Sequence, residues 1–204
     1  MDNKINIGLI GFGTIGSGVA EVLMERRGLL LKRSGIDFNL TLVCDKDLSS
    51  KRCVNIPKSM LTKDASRVIN DPDIHIVVEL IGGIHPAKEI VMEALSKGKH
   101  VVTANKLLLA ARGMEIFQKA RDLNREIYFE ASVAGGVPII KAIREGMVGN
   151  RFSSIFGILN GTSNYILSSM SSEGSSFKAA LKEAQLKGYA EKDPSLDIKG
   201  LDSC

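Results

Sequence analysis

The chain has 204 residues, 44% of them apolar and 25% charged, with a mean hydropathy of +0.07. That suffices for one large domain, or one domain with a portion of another, and no apolar run is long enough for a membrane helix. Lys and Arg outnumber Asp and Glu by 27 to 23. The basic residues are scattered, which excludes the stripe that nucleic-acid binding requires.

Ile5, Ile7, Leu9 and Ile10 read as a short buried strand, and Gly11, Gly13 and Gly16 follow at G-x-G-x-x-G spacing. An amphipathic run with Val19, Val22 and Leu23 predicts a helix from Thr14 to about Leu31. A strand, a glycine turn and a helix in that order are the context of a dinucleotide-binding fingerprint. The first glycine permits the tight turn, and the second lets the backbone approach a pyrophosphate. The third lets helix and strand pack closely, so that the free N–H groups of the first helical turn face the anion. The N-terminal Met-Asp-Asn-Lys runs directly into the strand without a signal-peptide pattern. The odd set Cys44, Cys53 and Cys204 lacks metal-ligand spacing, so a reduced, cytoplasmic setting is expected.

A second strand, Leu40 to Cys44, ends at Asp45, where this type of fold holds the ribose hydroxyls of NAD. Lys46 could instead receive the 2′-phosphate of NADP, and the sequence leaves that choice open. Residues 46–63 read as loop and Asp64 to Asn70 as a short helix. Ile74 to Leu80 is a third strand, followed by Ile81-Gly82-Gly83 at the carboxyl edge. Ala87, Ile90, Val91, Ala94 and Leu95 mark the clearest helix, with Pro86 in its first turn and Gly98 as its stop. A strand at His100 to Thr103, a helix from about Lys106 to Leu123 and a strand at Ile127 to Glu130 complete the alternation. The prediction is α/β: a doubly wound parallel, Rossmann-type dinucleotide-binding domain over residues 1–133.

From Ser132 the character changes. Pro138 to Met147 reads as a helix, Arg151 to Leu159 as a strand, and Thr162 as the start of another helix. A Ser-rich linker (Ser168 to Ser176) then leads to a helix with Phe177, Ala180, Leu181 and Ala184 on one face. Residues 134–204 are thus expected to form the first portion of a second, α+β domain, which the resemblance given below makes the substrate and dimerisation domain.

Lys106, directly after a strand end, could steer a phosphate or carboxylate, or carry a proton if burial lowers its pKa; taken alone it reads equally as a solvated lysine. Glu191, Asp193, Asp197 and Asp202 crowd together. Such a cluster is a surface loop, or else a place for an amino group, a cation or a catalytic lysine. The three histidines have no ligand spacing.

Several separated stretches together resemble homoserine dehydrogenase. They are Gly8 to Gly16, Val78 to Gly83, Val102-Thr103-Ala104-Asn105-Lys106, Glu130 to Ile140, Leu159 to Tyr165, and Gly188-Tyr189-Ala190-Glu191 through Asp202. The Thr-Ala-Asn-Lys and Gly-Tyr-Ala-Glu motifs are far more specific than the glycine turn. The resemblance implies NAD(P)-dependent interconversion of aspartate 4-semialdehyde and homoserine, on the way to threonine, isoleucine and methionine, in a protein that is a homodimer at full length. It implies cofactor binding at the turn Gly11, Phe12, Gly13, Thr14, Ile15 and Gly16, with Gly82, Thr103 and Lys106 toward the nicotinamide. It assigns the substrate to Glu191, Asp197 and Asp202, with Lys106 and Asp202 in the chemistry. A monovalent cation, usually sodium, is implied at Glu130 and the main-chain carbonyls of Val133, Gly135 and Val137. The family's catalytic lysine lies four positions after the aspartate matching Asp202, and this sequence stops two positions after it. The expectation is an N-terminal portion with partial cofactor binding and little or no turnover. The alternatives are another nicotinamide-dependent semialdehyde dehydrogenase and a non-catalytic dinucleotide-sensing module.

Overall fold

The computed structural model describes residues 3–190 and 194–200. By internal contacts the chain divides into residues 1–132 and 133–204, and each unit has its own core.

The first unit is built on six strands: β1 (Lys4–Ile10), β2 (Asp37–Cys44), β3 (Leu61–Thr62), β4 (Ile76–Glu79), β5 (His100–Thr103) and β6 (Ile127–Tyr128). They lie in the order β3-β2-β1-β4-β5-β6, and all five neighbouring pairs are parallel. The expected doubly wound sheet is therefore present. The strand order reverses between β1 and β4, which opens a crevice beyond their carboxyl ends.

Strand periodicity divides the side chains between two cores. Ile7, Leu9 and Val78 face α1 (Thr14–Glu25), whereas Ile10, Val77 and Val101 face α3 (Ala65–Asn70), α4 (Ala87–Ser96) and α5 (Lys106–Asp122). On the second face α4 buries the five apolar residues that its spacing marked out. The α1 face is less covered. Ile15, Val19 and Val22 of α1, with Ile76, Val78 and Val102 of the sheet, line an apolar groove of about 610 Å³.

The helix expected from Thr14 to Leu31 is broken. Arg26 leaves helical geometry (φ −106°, ψ 16°), and a separate α2 spans Arg27–Ser34. The segment α2 has no buried residue, and it is tied to β2 by the Arg27 guanidinium, which donates twice to Asp37 at 2.6 Å. Strand β3 escaped the sequence reading because two residues cannot display a period. It pairs with Val43 and Cys44 all the same.

In the second unit, α6 (Ile139–Lys141) continues as a π turn through Gly146, and α7 (Gly161–Glu173), α8 (Phe177–Leu186) and α9 (Ser195–Ile198) follow. Ile166 of α7 packs on Ala180 and Ala184 of α8. Two expectations fail here. The segment Arg151 to Leu159 is not a strand: among the described residues no strand pairs with it, so its apolar residues stay open and Phe156 is 91% exposed. The Ser-rich stretch is not a linker at its start, because α7 runs through Glu173. Ser169 is buried there, and the Ser172 hydroxyl donates to the Ser168 carbonyl.

Leu95 is fully buried under the sheet, whereas Leu186 is 79% exposed. Leu95→Ala is expected to lower the unfolding free energy of the chain by about 2–5 kcal/mol. Leu186→Ala should change it by no more than about 0.5 kcal/mol. Urea unfolding of the two variants beside the parent chain checks both.

Candidate dinucleotide and substrate sites

The glycine turn sits at the β1/β4 crevice, and its three glycines serve different ends. Gly11 has φ +102°, its N–H donates to the Cys44 carbonyl at 2.8 Å, and a Cβ there would meet the Leu80 carbonyl carbon at 2.5 Å. No side chain fits. At Gly13 nothing lies within 4 Å of a Cβ, so the glycine leaves open space above the backbone. A Cβ at Gly16 would overlap the Gly11 carbonyl oxygen, so the third glycine lets α1 settle onto the turn itself. Gly13 caps α1 without a side-chain hydrogen bond, which leaves the first-turn N–H groups for an anion. Phe12 is buried, and Thr14 and Ile15 are exposed.

A cavity of about 440 Å³ runs from this turn. Gly11, Gly13 and Gly82 line it, together with Asp45, Lys46 and Lys63. Asp45 lies at the end of β2, but its carboxylate is already engaged: Oδ2 accepts the Phe12 N–H at 2.5 Å and Oδ1 the Asp47 N–H at 2.8 Å. It braces the glycine turn against the loop after β2. Arg52 stands over the Phe12 ring at 5.6 Å and pairs with Asp47. Hydrogen bonds from Ser49 and Ser50 hold the Asp47 carboxyl far below the usual carboxylate range. Cys44 also lines the cavity. Burial, then the charges of Asp45 and Asp64, push its thiol up to about 11.

At the other end of the crevice, Thr103 closes β5 and is buried, with its hydroxyl donating to Glu79. Lys106 is the exposed first residue of α5. Glu130 opens a 3₁₀ turn over Glu130–Ser132 in the first unit. Val133, Gly135 and Val137 belong to the second, where Ala134 and Gly135 both have positive φ.

Within the second unit Asn160 caps α7, its Oδ1 accepting the Ser163 N–H at 2.7 Å, while its Nδ2 donates to Asp197 at 2.7 Å. Thr162 donates to the Tyr189 carbonyl at 2.6 Å, which ties the Gly-Tyr-Ala segment to the start of α7. Below it Lys187 pairs with Glu183 at 2.7 Å and donates to the Tyr165 hydroxyl at 2.9 Å. Those hydrogen bonds push its pKa up. Glu191, Asp193 and Asp202 lie outside the described residues. No group of three or more His, Cys, Asp or Glu is placed to hold a metal among the described residues.

The sequence reading missed Glu79, Lys63, Arg52 and Asn160 as members of these arrangements. Glu79 had a signal: it is a lone acid inside the apolar run Ile-Val-Val-Glu-Leu. Lys63 had none, since only the short strand β3 brings it beside Lys46.

Two family profiles match the chain: "Homoserine dehydrogenase, NAD binding domain" over residues 11–130, and "Homoserine dehydrogenase" over residues 138–204. A homoserine dehydrogenase of Bacillus subtilis is 45% identical over 199 residues, which is 98% of this chain and 46% of that protein. The crystal structure of a homoserine dehydrogenase from Thiobacillus denitrificans matches 98% of the chain and 46% of its own, with a TM-score of 0.84 at 46% identity. A hyperthermophilic archaeal homoserine dehydrogenase in complex with NADPH matches 98% of the chain and 66% of its own, with a TM-score of 0.78 at 30% identity. The chain thus spans slightly less than half the length of the bacterial relatives it matches.

The raised thiol gives this site a chemical handle. In the folded chain at pH 8, iodoacetamide should modify exposed Cys53 and leave Cys44 unmodified, because a thiol held near 11 is almost entirely protonated. Urea should make Cys44 reactive. Peptide mapping reads both, and prompt labelling of native Cys44 would refute the burial assigned to it.

Proposed function

The chain belongs to the homoserine dehydrogenase family, and we propose that it carries the NADP(H)-binding half and the first portion of the substrate domain of an enzyme that interconverts aspartate 4-semialdehyde and homoserine. The observation that supports this reading best is the cavity joining Gly11 and Gly13 to Asp45, Lys46 and Lys63. It lies at the carboxyl ends of β1 and β4, where a doubly wound sheet takes a dinucleotide. The open backbone at Gly13 and the uncapped start of α1 suit the pyrophosphate.

The choice of dinucleotide follows from the same cavity. Asp45 gives one acceptor position of each oxygen to the backbone, and beside it two cations stand on the same cavity rim. Lys46 and Lys63 suit a 2′-phosphate, and we assign the preference to NADP(H) over NAD(H). The bound nicotinamide would supply or accept the hydride. Lys106 would stand near it and offer positive charge to the developing alkoxide. Asp197, oriented by Asn160, would help hold the substrate's amino group together with Glu191 and Asp202. Glu130 with the carbonyls of Val133, Gly135 and Val137 offers an all-oxygen donor set, the chemistry a monovalent cation takes. Cytoplasmic action in threonine, methionine and isoleucine biosynthesis, as a homodimer of the full-length protein, belongs to the same proposal. No helix among the described residues is long and apolar enough to cross a membrane.

Titration of NADPH and NADH into the chain, read by nicotinamide fluorescence, tests the assignment. NADPH should bind more tightly. The double variant Lys46→Ala, Lys63→Ala should weaken NADPH by at least about tenfold and NADH by less than about twofold. Equal affinities in the parent chain would remove the 2′-phosphate assignment. Absence of binding to either would remove the dinucleotide reading for these residues.

A further inference from the structure

Glu79 ends β4 and is fully buried, and each oxygen of its carboxylate accepts a hydrogen bond. Its Oε1 accepts the Ile81 N–H at 2.9 Å, and its Oε2 accepts the Thr103 hydroxyl at 2.7 Å. Thr103 can give that hydrogen because its own oxygen accepts the Asn105 N–H at 3.0 Å. Asn105 closes the circuit. Its Nδ2 donates to the Gly83 carbonyl at 2.6 Å, and its Oδ1 accepts the Leu108 N–H as the cap of α5.

The turn after β4 is therefore held at the Ile81 N–H by Glu79 and at the Gly83 carbonyl by Asn105. Between these anchors stand Gly82 and Gly83, both at positive φ (+73° and +71°). Two successive glycines impose no shape of their own, because they reach many conformations at little cost. What fixes the turn is the network, and the same network fixes the Ala104-Asn105-Lys106 turn after β5. Gly82 lines the dinucleotide cavity and Lys106 begins α5, so both turns border the far end of the crevice.

We propose that Glu79 is a positioning residue: through Thr103 and Asn105 it clasps the turn after β4 to the turn after β5, and so sets the seat of the nicotinamide half of the dinucleotide. The inference rests on the dinucleotide reading above and assigns a cause to one end of that site. A carboxylate is required because two donors, the Ile81 N–H and the Thr103 O–H, must both be accepted in a buried place. A glutamine offers one acceptor oxygen and one NH₂, so if it accepts the Ile81 N–H its NH₂ faces Thr103 and turns the hydroxyl hydrogen away from its buried acceptor. The adenosine half contacts different supports, namely the glycine turn, Lys46 and Lys63, which the network does not include.

The test uses the 204-residue chain and a pair of ligands: NADPH and its nicotinamide-free fragment, 2′,5′-ADP, or NADH with ADP if the parent chain prefers NADH. Glu79→Gln should weaken the dinucleotide by about tenfold and the adenosine half by less than about twofold. Thr103→Val should give the same pattern, and Thr103→Ser, which keeps the hydroxyl, should restore parent behaviour. If Glu79→Gln does not fold by circular dichroism, the Thr103 pair carries the test alone. Equal weakening of both ligands would mark a purely structural role and overturn the inference. So would an unchanged dinucleotide affinity, or a Thr103→Ser variant as weak as Thr103→Val. A parent chain that binds neither ligand would overturn the dinucleotide reading and this inference with it.

Discussion

Much of the site in the first unit depends on the close approach of the Gly11 backbone to the Leu80 carbonyl. The main chain of β1 continues past the sheet and turns directly over the end of β4, with the Leu80 N–H donating to the Ile10 carbonyl at 2.8 Å. This contact is possible only with no side chain at residue 11 and with φ near +102°. It places the start of α1 at the point where the strand order reverses. Gly16 then brings α1 down onto the same turn, and Asp45 fastens the turn from the side through Phe12. A substitution at residue 11 thus disturbs β1, β4 and α1 together, although only one peptide unit has changed.

The elements of this architecture that could be read from the sequence are those in which a local pattern and a global demand agree. The helix α4 shows five apolar residues at helical spacing and buries all five, and β5 was legible to the residue because His-Val-Val-Thr is bounded by Gly98 and Asn105. Where burial comes from distant partners, the pattern fails. Segment 151–159 has the β-branched and aromatic residues of a strand, but a strand exists only with a neighbour, and the described residues supply none. Ser168 to Ser172 has the composition of a linker, yet it is helical because Ile166 and Ser169 pack inward beside α8. The same distinction applies to the site. The glycine spacing announces the turn, whereas the pairing of Lys46 with Lys63 depends on a two-residue edge strand, and Glu79 meets Thr103 only through the β4/β5 register.

The two faces of the sheet differ in how they are closed. A parallel sheet carries apolar side chains on both faces and needs cover on both. On one face α3, α4 and α5 provide it, and Val77, Val101 and Leu108 are wholly buried. On the other, α1 covers β1 and β2, while Ile76, Val78 and Val102 open into the groove beside Ile15, which is 61% exposed. Local opening should therefore be easier on the α1 side, because fewer apolar contacts are lost there. The glycine turn lies at the head of that helix, so its order is coupled to the less secured face.

The two ends of the crevice are then supported by different physics. In the proposed site the adenosine end would rest on backbone geometry and on exposed charge: an α1 start with no side-chain cap, and two lysines on the rim of the cavity. Such a site tolerates side-chain change around it, and its attraction for phosphate is screened by salt. At the other end the turns carrying Gly82 and Lys106 have no rigidity of their own and take it from buried hydrogen bonds around one carboxylate. A buried network of this kind is cooperative and intolerant, since removing one member leaves its partners unsatisfied in a place water does not reach. Such a division would suit the proposed dinucleotide site, in which charge could hold the phosphate end and geometry would have to hold the reacting ring.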